Sequence, residues 1–243
     1  MLTILRIYGR ALARLPGDIG KQPWILVLPV VYTVALSVCT QIVGFLFRGA
    51  LGILGGFALG FVVAALAASF LYFLDEVVTG SPVHLREFPR SFQRYLWPVV
   101  NVLFVFWIAQ IVLGLALSHA PLWLELGIGT VLGVMLNATP EVIYQRRIYS
   151  GLEVLMGSVA FIQENWIEWF IPNLPLGALL VLANVGIIRA PELLYRVAGP
   201  WAGSLVWDLV QAAFLLVFFI FRGHLFAALD GSSRRQRKFQ YGR

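Results

Sequence analysis

Charge is scarce in this chain. Asp, Glu, Lys and Arg make up 12% of its 243 residues, while hydrophobic residues make up 60%. A soluble domain carries about a quarter charged residues. A soluble globular enzyme and a disordered chain are therefore both excluded. Cysteine is scarcer still. Cys39 stands alone, so no internal disulfide can form and a disulfide scaffold is excluded. Histidine occurs three times, as His84, His119 and His224. His-Glu-x-x-His, phosphate-loop and Gly-x-Ser-x-Gly patterns are all missing. No metal site, cofactor or catalytic residue is expected.

Long apolar runs are what the chain has instead. A helix needs about 20 apolar residues to cross the hydrocarbon core. Six runs meet that length, over residues 24–46, 51–74, 97–117, 122–140, 166–188 and 203–221. They are continuous and lack the two-residue alternation of a β-barrel. The fold class that follows is all-α: a polytopic membrane protein with six transmembrane helices arranged as three hairpins. Residues 1–229 form one integral membrane domain, and residues 230–243 a basic cytoplasmic tail.

The net charge of +6 would suggest nucleic acid in a soluble protein. Here the basic residues flank apolar runs, so anionic lipid headgroups and topology explain them. No nucleic-acid partner is expected. Of the 18 Lys and Arg, 15 fall on one side of the six runs; only Arg48, Arg189 and Arg196 fall on the other. The positive-inside rule places both termini in the cytoplasm. His84 and His224 then lie inside and His119 outside, which rules out a shared three-histidine site. Arg6, Arg10 and Arg14 are spread along the first segment, unlike the clustered charge of a signal peptide.

Amphipathic segments precede the odd-numbered spans. Arg6, Arg10 and Arg14 recur every four residues, as do Arg86, Arg90 and Arg94. On a helix these arginines line one side and face lipid headgroups. Leu5, Tyr8, Leu12 and Leu15, or Leu85, Phe88, Phe92 and Tyr95, line the other. Such helices lie in the cytoplasmic interface. Residues 150–165 keep the apolar side but carry Glu153 and Glu164, which favours a protein contact over anionic lipid. Trp24, Trp97 and Trp166 open the three hairpins, 73 and 69 residues apart. Internal threefold repetition and independent placement of interfacial tryptophans both fit this spacing.

Small residues recur every four positions along the second run: Gly52, Gly56, Gly60, Ala64 and Ala68. The fourth run has Gly129 and Gly133. Such seams let helix backbones approach closely in lipid. The expectation is that Gly56 and Gly60 touch another helix. Close packing inside one bundle is the plainer use; a moving interface, a pore or a homo-oligomer contact is the sharper one. The deep polar residues read as Asn101, Gln110, Asn137 and Asn184, which interhelical amide bonds of about 1 kcal/mol explain without a substrate.

The run Phe161-Ile162-Gln163-Glu164-Asn165-Trp166-Ile167-Glu168-Trp169-Phe170-Ile171-Pro172-Asn173 resembles a segment of uncharacterised six-helix bacterial inner-membrane proteins. The ending Phe221-Arg222-Gly223-His224-Leu225-Phe226, with Gly231-Ser232-Ser233-Arg234-Arg235, is similar to theirs. The resemblance implies a bacterial plasma-membrane location and six spans; no functional residue comes with it.

Three functions fit these features. The first is a non-catalytic membrane component, a transport-associated or assembly subunit that docks partners through its cytoplasmic amphipathic helices. A cytoplasmic ATPase, another membrane subunit and a second copy are its candidate partners. The second is an export permease of the ATP-binding-cassette type, by architecture alone. The third is a lipid-modifying enzyme using inner-face carboxylates. Glu76 and Glu141 close spans two and four at the inner face, where span six ends in Arg222. An isolated ion at that depth is costly. The expectation is a pair between Arg222 and one of the two carboxylates, the competing use being an arginine that snorkels to the headgroups. If the pair forms, Arg222→Glu lowers the amount of protein in the membrane, and Glu76→Arg or Glu141→Arg restores part of it on quantitative blotting. Rescue by neither would leave snorkelling as the account.

Overall fold

The computed structural model describes residues 2–49, 52–82, 84–184, 192, 196 and 199–232, and among these there is no strand. The helices are α1 (Leu2–Lys21), α2 (Leu28–Leu46), α3 (Gly52–Thr79), α4 (Phe88–Arg94), α5 (Leu96–Ala116), α6 (Leu122–Met135), α7 (Thr139–Arg146), α8 (Gly151–Asn184) and α9 (Pro200–Leu229). A 3-10 turn, Pro23–Val27, leads into α2. Six stretches are long and apolar enough to cross a membrane: Pro23–Leu46, Gly52–Thr79, Leu96–Ala116, Leu122–Arg146, Gly151–Ala183 and Trp201–Leu229. The chain is a multi-pass membrane protein. The basic tail beyond residue 232, residues 185–188 of the fifth run and most of the loop from Arg189 lie outside the described residues.

Several helices run further than hydropathy indicates. α3 continues to Thr79 and carries Asp75 and Glu76 within it. α9 continues to Leu229, so Arg222 and His224 sit inside a helix and not at its end. Hydropathy stops where charge begins. A helix stops only where its backbone bonds stop, and here the C-terminal end of α9 is packed, with Ile220, Phe221, Leu225, Phe226 and Leu229 all buried. α8 joins the third amphipathic segment to the fifth span. A kink at Asn165 (φ −126°, ψ 15°) marks the join, one residue before the interfacial Trp166.

Span four departs from a single helix. Pro140 lies in the first turn of α7. Its ring cannot follow an unbroken helix, because it has no N–H for the Leu136 carbonyl and clashes with it. The chain therefore breaks after Met135. Thr139 serves the Leu136 carbonyl instead, through its N–H (3.1 Å) and its hydroxyl (2.6 Å). The helical turn then runs past Pro140 to Arg146.

The chain packs as two compact units. One comprises Met1–Ser37, Glu76–Val83 and Ile167–Arg243; the other comprises Val38–Asp75 and His84–Trp166. In the first, α1 lies on α9 through Ile7, Ala11 and Leu15, all buried. This corrects the apolar face expected for α1. Leu5 is 62% exposed and Leu12 52%, so two apolar sides exist: one packed, one open. In the second unit, α4 is pinned to α3. Phe88 stacks on Phe73 at 6.0 Å, and the Ser91 and Ser69 hydroxyls meet at 2.5 Å.

The glycines that this packing requires are not those of the seam. A Cβ on Gly55 would lie 2.8 Å from the Phe47 Cβ across the α2–α3 turn. A Cβ on Gly151 would lie 2.6 Å from the Asn101 carbonyl oxygen. That atom is backbone and cannot swing aside. The α8 N-terminus thus packs directly on the α5 main chain, and the Asn101 side chain fixes it by donating to the Tyr149 carbonyl at 3.0 Å. Overpacking of this kind costs about 1–3 kcal/mol. Gly151→Ala is expected to lower the thermal unfolding midpoint in detergent. Gly177→Ala, where nothing lies within 4 Å, is expected to leave it unchanged or raise it; equal behaviour of the two variants would refute this contact.

Candidate functional site

Buried polar side chains gather near helix ends and prolines. Each unit has its own set, and each set answers a backbone or charge requirement created by helix ends and prolines.

In the second unit the centre is Asp75. Its carboxylate is buried on α3, accepts from the Tyr95 hydroxyl at 2.7 Å and pairs with Arg94 at 3.2 Å. The Tyr95 hydroxyl also lies 3.3 Å from the Tyr144 carbonyl, near the end of α7, where carbonyls lose their helical donors. The Arg94 guanidinium sits over the Tyr72 ring (5.7 Å) and the Tyr95 ring (5.3 Å), and Tyr72 donates to Glu87 at 2.9 Å. Burial pushes the Tyr95 phenol well above its usual range, and the bond to Asp75 adds to this. Arg94 therefore departs from the basic stripe expected to face lipid: it turns inward to a buried acid. Arg86 and Arg90 remain exposed, as do Arg6, Arg10 and Arg14.

In the first unit, polar contacts from α1 and from Gln22 just after it hold that helix in place. Asp18 meets His224 on α9, Oδ2 to Nε2, at 2.7 Å. Gln22 donates to the Ser81 carbonyl at 3.1 Å. Tyr8 donates to the Glu168 carbonyl at 2.8 Å. The third bond has a cause in the sequence. Residue 172 is proline, so the carbonyl four residues earlier, on Glu168, has no helical donor. A hydroxyl from another helix supplies one. Ser158 plays the same part in the second unit, donating to the Met135 carbonyl at 3.1 Å beside the break in span four.

The residues singled out from sequence are placed as follows. Arg222 is buried, 6% exposed, with its guanidinium 5.0 Å from the Trp169 ring centre and 5.5 Å from those of Phe218 and Phe219. Cation–π contact is strong in a desolvated setting. Glu141 is fully buried. Arg222 and Glu76 belong to the first unit, Glu141 to the second. Ala64 and Ala68 are buried, while Gly52, Gly56 and Gly60 are exposed. A Cβ on any of the three glycines would meet nothing within 4 Å, and the same holds for Gly129 and Gly133. The seam is thus closed in its C-terminal half and open in its N-terminal half. Gly56 and Gly60 instead line an apolar cavity of about 470 Å³ with Phe57, Phe61, Ala64 and Trp107.

Two polar sites have no counterpart in the sequence reading. The Asn173 amide is buried with both its oxygen and its nitrogen unpartnered, and so is His224 Nδ1. Asn173 lies between Pro172 and Pro175 on α8, and that bracket of prolines is its only signal. For the Asp18–His224 pair the signal is subtler: Asp18 continues the stripe of Ile7, Ala11 and Leu15, an acid on a packed face. No family model, curated protein or solved structure matches this chain.

The proline-released carbonyl is testable by a double-mutant cycle. Tyr8→Phe removes one hydrogen bond and is expected to cost about 1 kcal/mol. In a Pro172→Ala background, the new alanine returns an N–H to the Glu168 carbonyl, and the same substitution should cost much less. The Tyr8 pKa is raised from 10.0 to about 12, by burial first and then by Glu168. A raised folded pKa means that this stabilisation is complete below pH 10 and is lost as pH rises through about 12. Equal cost of Tyr8→Phe in both backgrounds would show that the bond does not serve the proline.

Proposed function

We propose that this chain is a non-catalytic integral membrane component of a bacterial inner membrane, with both termini in the cytoplasm. It is a transport-associated or assembly subunit and acts by association within the bilayer. One observation carries the reading: the apolar cavity on α3 and α5. Its floor is glycine backbone at Gly56 and Gly60, and its walls are Phe57, Phe61 and Trp107. Backbone exposed by small residues is what a second helix needs for close approach, since lipid gains nothing from a glycine floor. α6 supports the same view. It buries no residue along Leu122–Met135, so the longer part of the fourth span is left for contacts beyond the chain. The occupant is a transmembrane helix of a partner subunit.

A cytoplasmic contact accompanies it. At the start of α8, Leu152 and Met156, with Tyr149 just before the helix, are each more than half exposed, beside the exposed Glu153 and Glu164. Anionic headgroups would be repelled there. A cytoplasmic protein with a basic rim, an ATPase among the candidates, fits that chemistry.

A photoreactive residue at Phe57 tests the groove in native membranes. A protein adduct of new mass is expected, absent when Gly60→Leu fills the floor and absent from a probe at Val210 on α9. An adduct of twice the chain mass would name a second copy as the occupant. Lipid adducts alone would overturn the docking reading.

A further inference from the structure

α1 and the inner end of α9 enclose a second cavity, of about 180 Å³. Its polar lining is Arg10, Arg14 and His224, and small side chains (Ala11, Ala227 and Ala228) make the space. Arg10 and Arg14 lie one helical turn apart on α1, so their side chains project in parallel. His224 is 4% exposed. Its Nε2 is held by Asp18 at 2.7 Å. A carboxylate only accepts, so Nε2 carries the proton of that bond. The Nδ1 of the same ring is buried and has no partner. Buried polar atoms are nearly always satisfied, and this one belongs to a ring lining a cavity with two guanidinium groups.

We infer that this cavity binds a phosphate group. Guanidinium forks match phosphate oxygens in geometry as well as charge. In the imidazolium both ring nitrogens donate, so the protonated His224 adds a third contact, Nδ1–H to a phosphate oxygen, while its Nε2–H stays on Asp18, which holds the ring in place. The phosphate comes from an anionic phospholipid headgroup or from a free phosphate ion. The lipid source is favoured by the opposite side of the same helix: Leu5 and Leu12 stand exposed there and can enter the acyl region, which holds α1 in the interface with its arginines toward the headgroups and water. In this role α1 is a clamp: its bond to α9 through Asp18 and His224 shapes a headgroup pocket.

The test uses the full chain, delipidated in mild detergent, then offered phosphatidylglycerol, phosphatidylcholine or inorganic phosphate. Retention is read by native mass spectrometry and by the shift in thermal unfolding. The wild type should retain phosphatidylglycerol over phosphatidylcholine. Arg10→Gln with Arg14→Gln should reduce retention about ten-fold or more, the loss of a charge-assisted contact. Arg86→Gln with Arg90→Gln removes the same charge from another helix and should change little. His224→Gln keeps a donor near Nε2 but not at Nδ1; it should fold normally and lose retention several-fold. Stabilisation by inorganic phosphate, lost in the Arg10/Arg14 double variant, would identify the free ion as the source and still assign the site. Equal retention in the Arg10/Arg14 and Arg86/Arg90 variants would overturn it, because binding would then follow net charge alone. A normally folded His224→Gln with undiminished retention would remove His224 from the site.

Discussion

A carbonyl without a donor is the constraint on which the helix packing within each unit depends. Within the bilayer no water can serve a backbone group released by a proline or a helix break, so the protein must serve it. Pro172 releases the Glu168 carbonyl, and the hydroxyl of Tyr8 takes it at 2.8 Å. Pro140 deprives the Leu136 carbonyl, and Thr139 takes it at 2.6 Å through its hydroxyl. Ser158 serves Met135, and Tyr95 reaches Tyr144. Hydroxyl groups fill this role because each can rotate to meet an acceptor whose direction is set by the irregular backbone. Three of these bonds join elements far apart in sequence: Tyr8 to Glu168, Tyr95 to Tyr144 and Ser158 to Met135. The irregularities that weaken single helices thereby become the points at which helices are tied together.

Charge follows the same logic. Asp75 would be untenable alone inside the second unit, and Arg94 and Tyr95 resolve it. Breaking a buried pair costs far more than an exposed one, because the remaining ion stays desolvated. Both guanidinium groups also use aromatic faces: Arg94 those of Tyr72 and Tyr95, Arg222 those of Trp169, Phe218 and Phe219.

Much of this was legible in the sequence. Hydropathy located all six spans, because bilayer thickness imposes a length that few other structures share. The arginine period of four identified α1 as amphipathic, and Trp166 marked the join within α8. Hydropathy could not show which apolar side of α1 is packed, since Leu5 and Ile7 are equally apolar and only the position of α9 decides between them. Nor could a count of arginines show that Arg94 turns inward; that depends on Asp75, 19 residues away on another helix. The seam was visible as a pattern of small residues, but pattern alone does not say which half is covered. The glycines under steric demand, Gly55 and Gly151, belong to no pattern at all.

The brevity of α6 bears on the surrounding lipid. Its 14 residues rise about 21 Å at about 1.5 Å each, against a hydrocarbon thickness of about 30 Å. α7 completes the span but buries Thr139, Glu141, Val142, Ile143 and Tyr144, so the flank open to lipid is that of α6. With no residue buried, α6 has little protein around it to absorb the difference in length. The acyl chains beside it must shorten or splay, at a fraction of a kcal/mol for each ångström of mismatch. A dimple of thinned bilayer would follow the α6 flank. Neighbours with equally short spans gain by sharing that dimple, so the elastic cost of the membrane itself draws them to this side of the molecule.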